Sequence, residues 1–113
     1  MIESQPKFMQ GVFSFSGAGY DKPITLCSYT IAADKRAQPI YLRAGNSTDV
    51  LVSLSLSRDG ELMRLFPVGA KAAAHVQLAV VEDIAPESRL DIAVSAPAGI
   101  EGVIVLDFGL VEI

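Results

Sequence analysis

Few residues in this 113-residue chain carry chemistry: it has one histidine, His75, and one cysteine, Cys27. Nucleophilic triads and most zinc or iron sites draw on histidine, and a metal site needs several donors. A single imidazole meets neither need unless copies of the chain share it around an axis. Cys27 stands between Leu26 and Ser28. A free cysteine in such a setting behaves as a small hydrophobe, and neither an imidazole nor a helix start lies beside it to promote the thiolate.

The carboxylates are more informative. Asp107 interrupts an apolar run between Leu106 and Phe108, so it must be paired, protonated or near a rim. Arg43 and Arg64 are the candidate partners; a general acid with a raised pKa is the functional alternative. Asp91 and Glu82 fall on polar strand faces, where solvation is expected. Gly17-Ala18-Gly19 and Gly45-Asn46-Ser47 offer backbone amides that could cradle an anion, but no helix start follows either. Asn46-Ser47-Thr48 matches the glycosylation sequon and reads as a plain turn. Sugar-stacking platforms need exposed aromatic rings; the chain has no Trp, and Tyr20, Tyr29 and Tyr41 are dispersed. Tyr20 and Tyr41, with Asn46, could still flank a shallow ligand site. No catalytic residue, metal ligand or cofactor is assigned.

The elements that must position these residues are strands. Val12 to Phe15 starts the first, with Phe8 and Met9 as an extension, after a polar arm over residues 1–7. Ile24–Ile31 and Ile40–Ala44 follow, the latter opened by Pro39, which suits a strand start or an edge. Val50, Val52, Leu54 and Leu56 alternate with Leu51, Ser53, Ser55 and Ser57, the period of a half-buried strand. Arg58-Asp59-Gly60 then supplies the Asp-Gly turn of a tight hairpin, with Glu61–Phe66 returning. Ala70–Ala79 could propagate a helix on propensity alone. The alternation of Val76, Leu78 and Val80 with His75, Gln77 and Ala79 favours a strand over His75–Glu82 instead. Leu90, Ile92 and Val94 alternate with Arg89, Asp91, Ala93 and Ser95, and Pro97-Ala98-Gly99 breaks that strand before the last. About eight short strands predict an all-β, single-domain antiparallel sandwich over residues 8–113. A jelly roll is favoured over an immunoglobulin-like fold, whose usual buried Trp and paired Cys are missing.

The last strand is apolar on both sides. Val103, Val105, Val111 and Ile113 fall on one face, and Ile104, Leu106, Phe108 and Leu110 on the other, since successive side chains alternate. A two-layer sandwich covers one face of each strand, so the second needs a loop, the arm or another copy of the protein. The composition agrees: 50% of residues are hydrophobic and only 19% charged, against a usual quarter.

Other classes are disfavoured. The net charge is −4, and the basic residues are scattered, without the clustered footprint that nucleic acid or an anionic membrane requires. No apolar run spans a bilayer and no secretory signal is evident, so synthesis in the cytoplasm is expected. One cysteine excludes an internal disulfide framework.

These observations predict a non-enzymatic structural protein acting by self-association, a homo-oligomer or a subunit meeting other subunits of a larger assembly. The expected contacts are Val103, Ile104, Val105, Leu106, Phe108 and Leu110, with Leu51, Ser53, Ser55 and the arm as secondary elements. In class, such an unsecreted jelly roll resembles the minor capsid, decoration or spike proteins of viruses and phages, which implies incorporation into a virion. The alternative is a binding module that recognises a glycan or peptide through the loops near Tyr20, Asn46 and Pro97.

Overall fold

The computed structural model describes residues 4–78 and 83–113. Eight strands run in chain order: β1 Gln5–Ser16, β2 Gly19–Thr30, β3 Ala37–Asn46, β4 Val52–Arg58, β5 Glu61–Val68, β6 Ala73–Gln77, β7 Arg89–Ala96 and β8 Glu101–Glu112. They form two antiparallel four-stranded sheets, ordered β1-β8-β3-β6 and β2-β7-β4-β5. Consecutive strands therefore alternate between layers up to β4, and β8 returns to lie beside β1. This order is that of a jelly roll, two interleaved Greek keys, and it settles the choice against the immunoglobulin-like alternative.

The core follows the period-two pattern. From the first sheet, Met9, Phe15, Leu42, Ile104, Leu106, Phe108 and Leu110 point inward; from the second, Val52, Leu54, Leu56, Phe66, Leu90, Ile92 and Val94 meet them. Burying apolar side chains of this size is worth about 1.5–3 kcal/mol each. The β4–β5 hairpin is closed by Asp59 at φ 50 and Gly60 at φ 85. Positive φ at both central residues matches the twist of the flanking strands, and the Asp-Gly pair reaches it at little steric cost.

Three expectations need correction. Residues 5–7 are not an arm: β1 begins at Gln5, and Gln5 pairs with Glu112 in a ladder that continues without a bulge to Ser16 and Glu101. Pro39 neither opens its strand nor lies at a sheet edge. It is the third residue of β3, which sits between β8 and β6, and the missing N–H is accommodated by a register shift between Pro39 and Tyr41. The strand expected over 75–82 starts earlier, at Ala73; Ala74 and Ala73 pair with Ala44 and Gly45, so tertiary pairing overrides the helical propensity of alanine. Residues 79–82 of that expectation, Glu82 included, lie outside the described residues.

Candidate interaction face

The outer face of the first sheet is where side chains not used by the core converge. Register places Val12, Val105, Gly45 and Ala73 in one row across β1, β8, β3 and β6. The next row is Gln10, Asp107, Arg43 and His75; the one after it is Phe8, Gly109, Tyr41 and Gln77. An apolar row, a polar row and an aromatic row thus lie side by side.

Asp107 organises the middle row. Gln10 Nε2 donates to its Oδ1 at 2.9 Å and the Tyr41 hydroxyl to the same oxygen at 2.8 Å. Arg43 donates to Oδ2 through Nε at 3.2 Å and its terminal nitrogen at 2.7 Å. Burial alone would raise the carboxyl pKa. The hydrogen bonds from Gln10, Arg43 and Tyr41 and the charge of Arg43 outweigh it, holding the group below the usual carboxylate range. A carboxylate so ionised is a clamp for its neighbours and not a general acid. Of the two arginine partners predicted, Arg43 takes the role; Arg64 lies on β5 in the other sheet, its guanidinium 5.5 Å over the Phe66 ring.

Tyr41 lies flat against β8 because the residue beneath it is glycine. A Cβ on Gly109 would sit 2.3 Å from Tyr41 Cε1. The ring also meets His75 edge-on, centroids 6.2 Å apart, and Arg43 stacks 5.8 Å from its centre. Burial, then the bond to Asp107, pushes the Tyr41 phenol up from its ordinary value. Arg43, Gly45, Ala73, His75, Val105 and Asp107 line a shallow open hollow of about 500 Å³.

The apolar row is left open, Val12 being 71% exposed and Val105 53%, and in the aromatic row Phe8 is 54% exposed. Cross-strand neighbours half-cover Val103 and Val111, since β8 is flanked on both sides. The predicted need for a cover on the second face of β8 thus reduces to Val105 and the β1 residues beside it.

Four predicted contacts are corrected. Ile104, Leu106, Phe108 and Leu110 are at most 2% exposed, packed between the sheets. They cannot meet a partner, because the second layer already covers them. On the other layer, Leu51, just ahead of β4, is exposed, while Ser53 is half-buried and Ser55 buried within β4. Leu62 and Leu65, opposite Ser57 and Ser55, are exposed there too. The sequence reading overlooked Phe8, Val12, Leu62 and Leu65. The alternation Phe8, Gln10, Val12, Ser14 against Met9, Gly11, Phe13, Phe15 held the signal, since it puts large apolar residues on both sides of β1.

The residues proposed for a loop site do not come together. Tyr41 is on the sheet face, whereas Tyr20 is on β2 with its hydroxyl donating to the Leu51 carbonyl at 2.7 Å. Asn46 is buried: its Nδ2 donates to the carbonyls of Val50, Val68 and Gly69, and its Oδ1 accepts from the Thr48 N–H and hydroxyl. The side chain is consumed in folding the loop, so it contacts no ligand, and its amide is closed to glycosylation. Both glycine turns spend amides on the chain itself: the Gly17 N–H donates to Ile100 and the Asn46 N–H to Ala72.

Elsewhere, Asp91 is half-buried and paired, accepting from Arg89 Nε at 2.9 Å and from the Ser28 hydroxyl. Cys27 packs its sulfur 3.8 Å from that of Met9; burial, then the charge of Asp91, pushes its thiol up to about 11. Tyr29 is pushed up to about 12 by burial and by its bond to the buried Glu112, which also accepts from the Ala32 N–H at 3.0 Å. Among the described residues, no three His, Cys, Asp or Glu side chains gather where they could hold a metal ion.

No protein-family model matches the sequence, and no curated protein sequence matches it. Solved structures do share the fold. The CBM36-1 domain of a multidomain xylanase from the hindgut metagenome of Trinervitermes trinervoides superposes with a TM-score of 0.63 at 16% identity, covering 95% of this chain and 96% of that one. A subunit structure from the disulfide-linked pili of Bacillus endospore appendages gives 0.55 at 10% identity, covering 97% and 88%. A chain of infectious bursal disease virus strain Gx gives 0.56 at 18% identity, with 97% of this chain on 32% of that chain. Together they show the fold alone: a β-sandwich also found in a CBM36 domain, in pili and in a virus.

Proposed function

We propose that this protein is a non-enzymatic building block that works by self-association, with the outer face of the first sheet as its principal contact. One observation carries this reading. The core is filled by one face of each strand, yet on the other face Val12 and Val105 stay open side by side, and Phe8 stays open two rows away, across the polar row of Asp107. Exposed apolar side chains on either side of an ordered polar network are the anatomy of a contact surface. Structural neighbours that belong to pili and to a virus support it, as folds of this kind serve in assemblies. Incorporation into a virion is the finer form of the proposal.

A second reading has its own observation. The CBM36 domains match nearly the whole of both chains, one of them solved with calcium and xylotriose at a TM-score of 0.59. Tyr41, flanked by Arg43, His75 and Asp107, would be the stacking ring of a glycan site on this face, without a calcium ligand cluster among the described residues.

Native mass spectrometry and light scattering across a concentration series separate the two. Multimers that dissociate in the Phe8→Ser, Val12→Ser double variant, with the fold retained by circular dichroism, are expected. A strict monomer at millimolar concentration sinks the building-block reading. If that monomer binds xylo-oligosaccharides and loses them on Tyr41→Ala, the glycan reading replaces it.

A further inference from the structure

A jelly roll has four sheet edges, and in this one three are blunted. An edge strand exposes unpaired N–H and C=O groups and invites pairing with another chain unless charge, proline, bulges or shortness prevents it. Edge strand β2 carries Asp21, Lys22 and Pro23 and two register shifts against β7. Edge strand β5 carries Glu61, Arg64 and Pro67 and a shift against β4. Edge strand β6 is five residues long. Edge strand β1 differs: it runs twelve residues with no bulge, its Pro6 and Lys7 are confined to its start, and Phe8–Ser16 contains no charged residue and no proline. Among the described residues no backbone bond beyond its ladder with β8 reaches residues 5–16.

We infer that two copies of this chain pair edge to edge through β1, antiparallel about a two-fold axis at Val12, joining the two first sheets into one of eight strands. This rests on the self-association reading and adds an edge contact through β1 beside the face contact proposed above. Val12 is the midpoint of the uncharged segment, so this register sets no charge against a like charge. Inner-face pairs are Phe13 opposite Gly11, over which the Phe13 ring of the same chain already lies, and Met9 opposite Phe15, a favourable sulfur–aromatic combination. Outer-face pairs are Val12 with Val12 and Gln10 with Ser14. Val105 already lies beside Val12 in each copy, so the joined sheet carries an unbroken row of four valines. An isologous interface of this kind closes on itself as a dimer.

Cysteine cross-linking in the full chain tests the arrangement. In a Cys27→Ser background, Val12→Cys is expected to oxidise to a disulfide dimer, because residues facing each other across an antiparallel pair lie about 4.5–5.5 Å apart, within disulfide reach. Val105→Cys, one strand further in on each side, is expected not to. Val12→Lys, at a side chain 71% exposed, should keep the fold by circular dichroism and weaken dimerisation at least tenfold. A wild-type protein that associates while Val105→Cys cross-links and Val12→Cys does not overturns edge pairing alone. A monomeric wild type overturns both this inference and the function it rests on.

Discussion

A single carboxylate shows how context assigns a role that residue type cannot. Asp107 in an apolar strand reads equally as a raised-pKa acid or an ion-pair anchor. The geometry decides for the anchor, since three side chains donate to it and one of them is cationic. The consequence for stability has a definite sign. Its folded pKa lies below the ordinary 3.8, so the bound anion stabilises the fold above that value and the contribution is lost as pH falls through the folded pKa. Urea unfolding between pH 6 and pH 2 should show Asp107→Asn less stable by roughly 1 kcal/mol at neutral pH, the range of a partly exposed pair. The difference should shrink towards pH 2; a constant difference would place the effect outside ionisation.

At the scale of the element, local chemistry and local structure agree best where turns demand special backbone. Gly60, at φ 85, has no heavy atom within 4 Å of where a Cβ would sit. A substitution there meets backbone strain and nothing else. Gly60→Ala is expected to lower stability by about 1 kcal/mol without moving the β4–β5 register, as read by chemical denaturation and amide exchange along both strands. A neutral result would mean that the turn relaxes to another type. The Ala-rich segment is the opposite case: Ala73 and Ala74 join β6 because β3 offers a ladder, and propensity is too weak a preference to resist it.

Across the whole molecule, the two faces of β8 behave as different materials. Leu106 is sealed between sheets and Val105, its neighbour, is half in solvent. Leu106→Asp should unfold the domain or cost more than 4 kcal/mol, through a buried unpaired charge. Val105→Asp should leave the melting temperature of the dissociated chain within a few degrees. Parallel thermal scans of both variants at low concentration check this; equal destabilisation would mean that Val105 packs against its own chain.

The fold class was legible in the sequence because strand periodicity, Asp-Gly and Pro/Gly punctuation are local signals. Val50–Ser57 and Arg89–Ser95 announce which side faces the core. The doubly apolar β8 was legible too, as was the pairing of Asp107 with an arginine. Which arginine, which of the two apolar faces turns inward, and how far neighbours shelter the other were not. Those depend on strand order, and strand order joins residues from opposite ends of the chain: Gln10 to Asp107, Gln5 to Glu112. Asn46 illustrates the limit, for a polar loop residue looks available until the carbonyls of Val68 and Gly69 are brought to it. Periodicity fixes what each strand must hide; only the packed sheets determine what is left showing, since exposure is a property of neighbours and not of the residue itself.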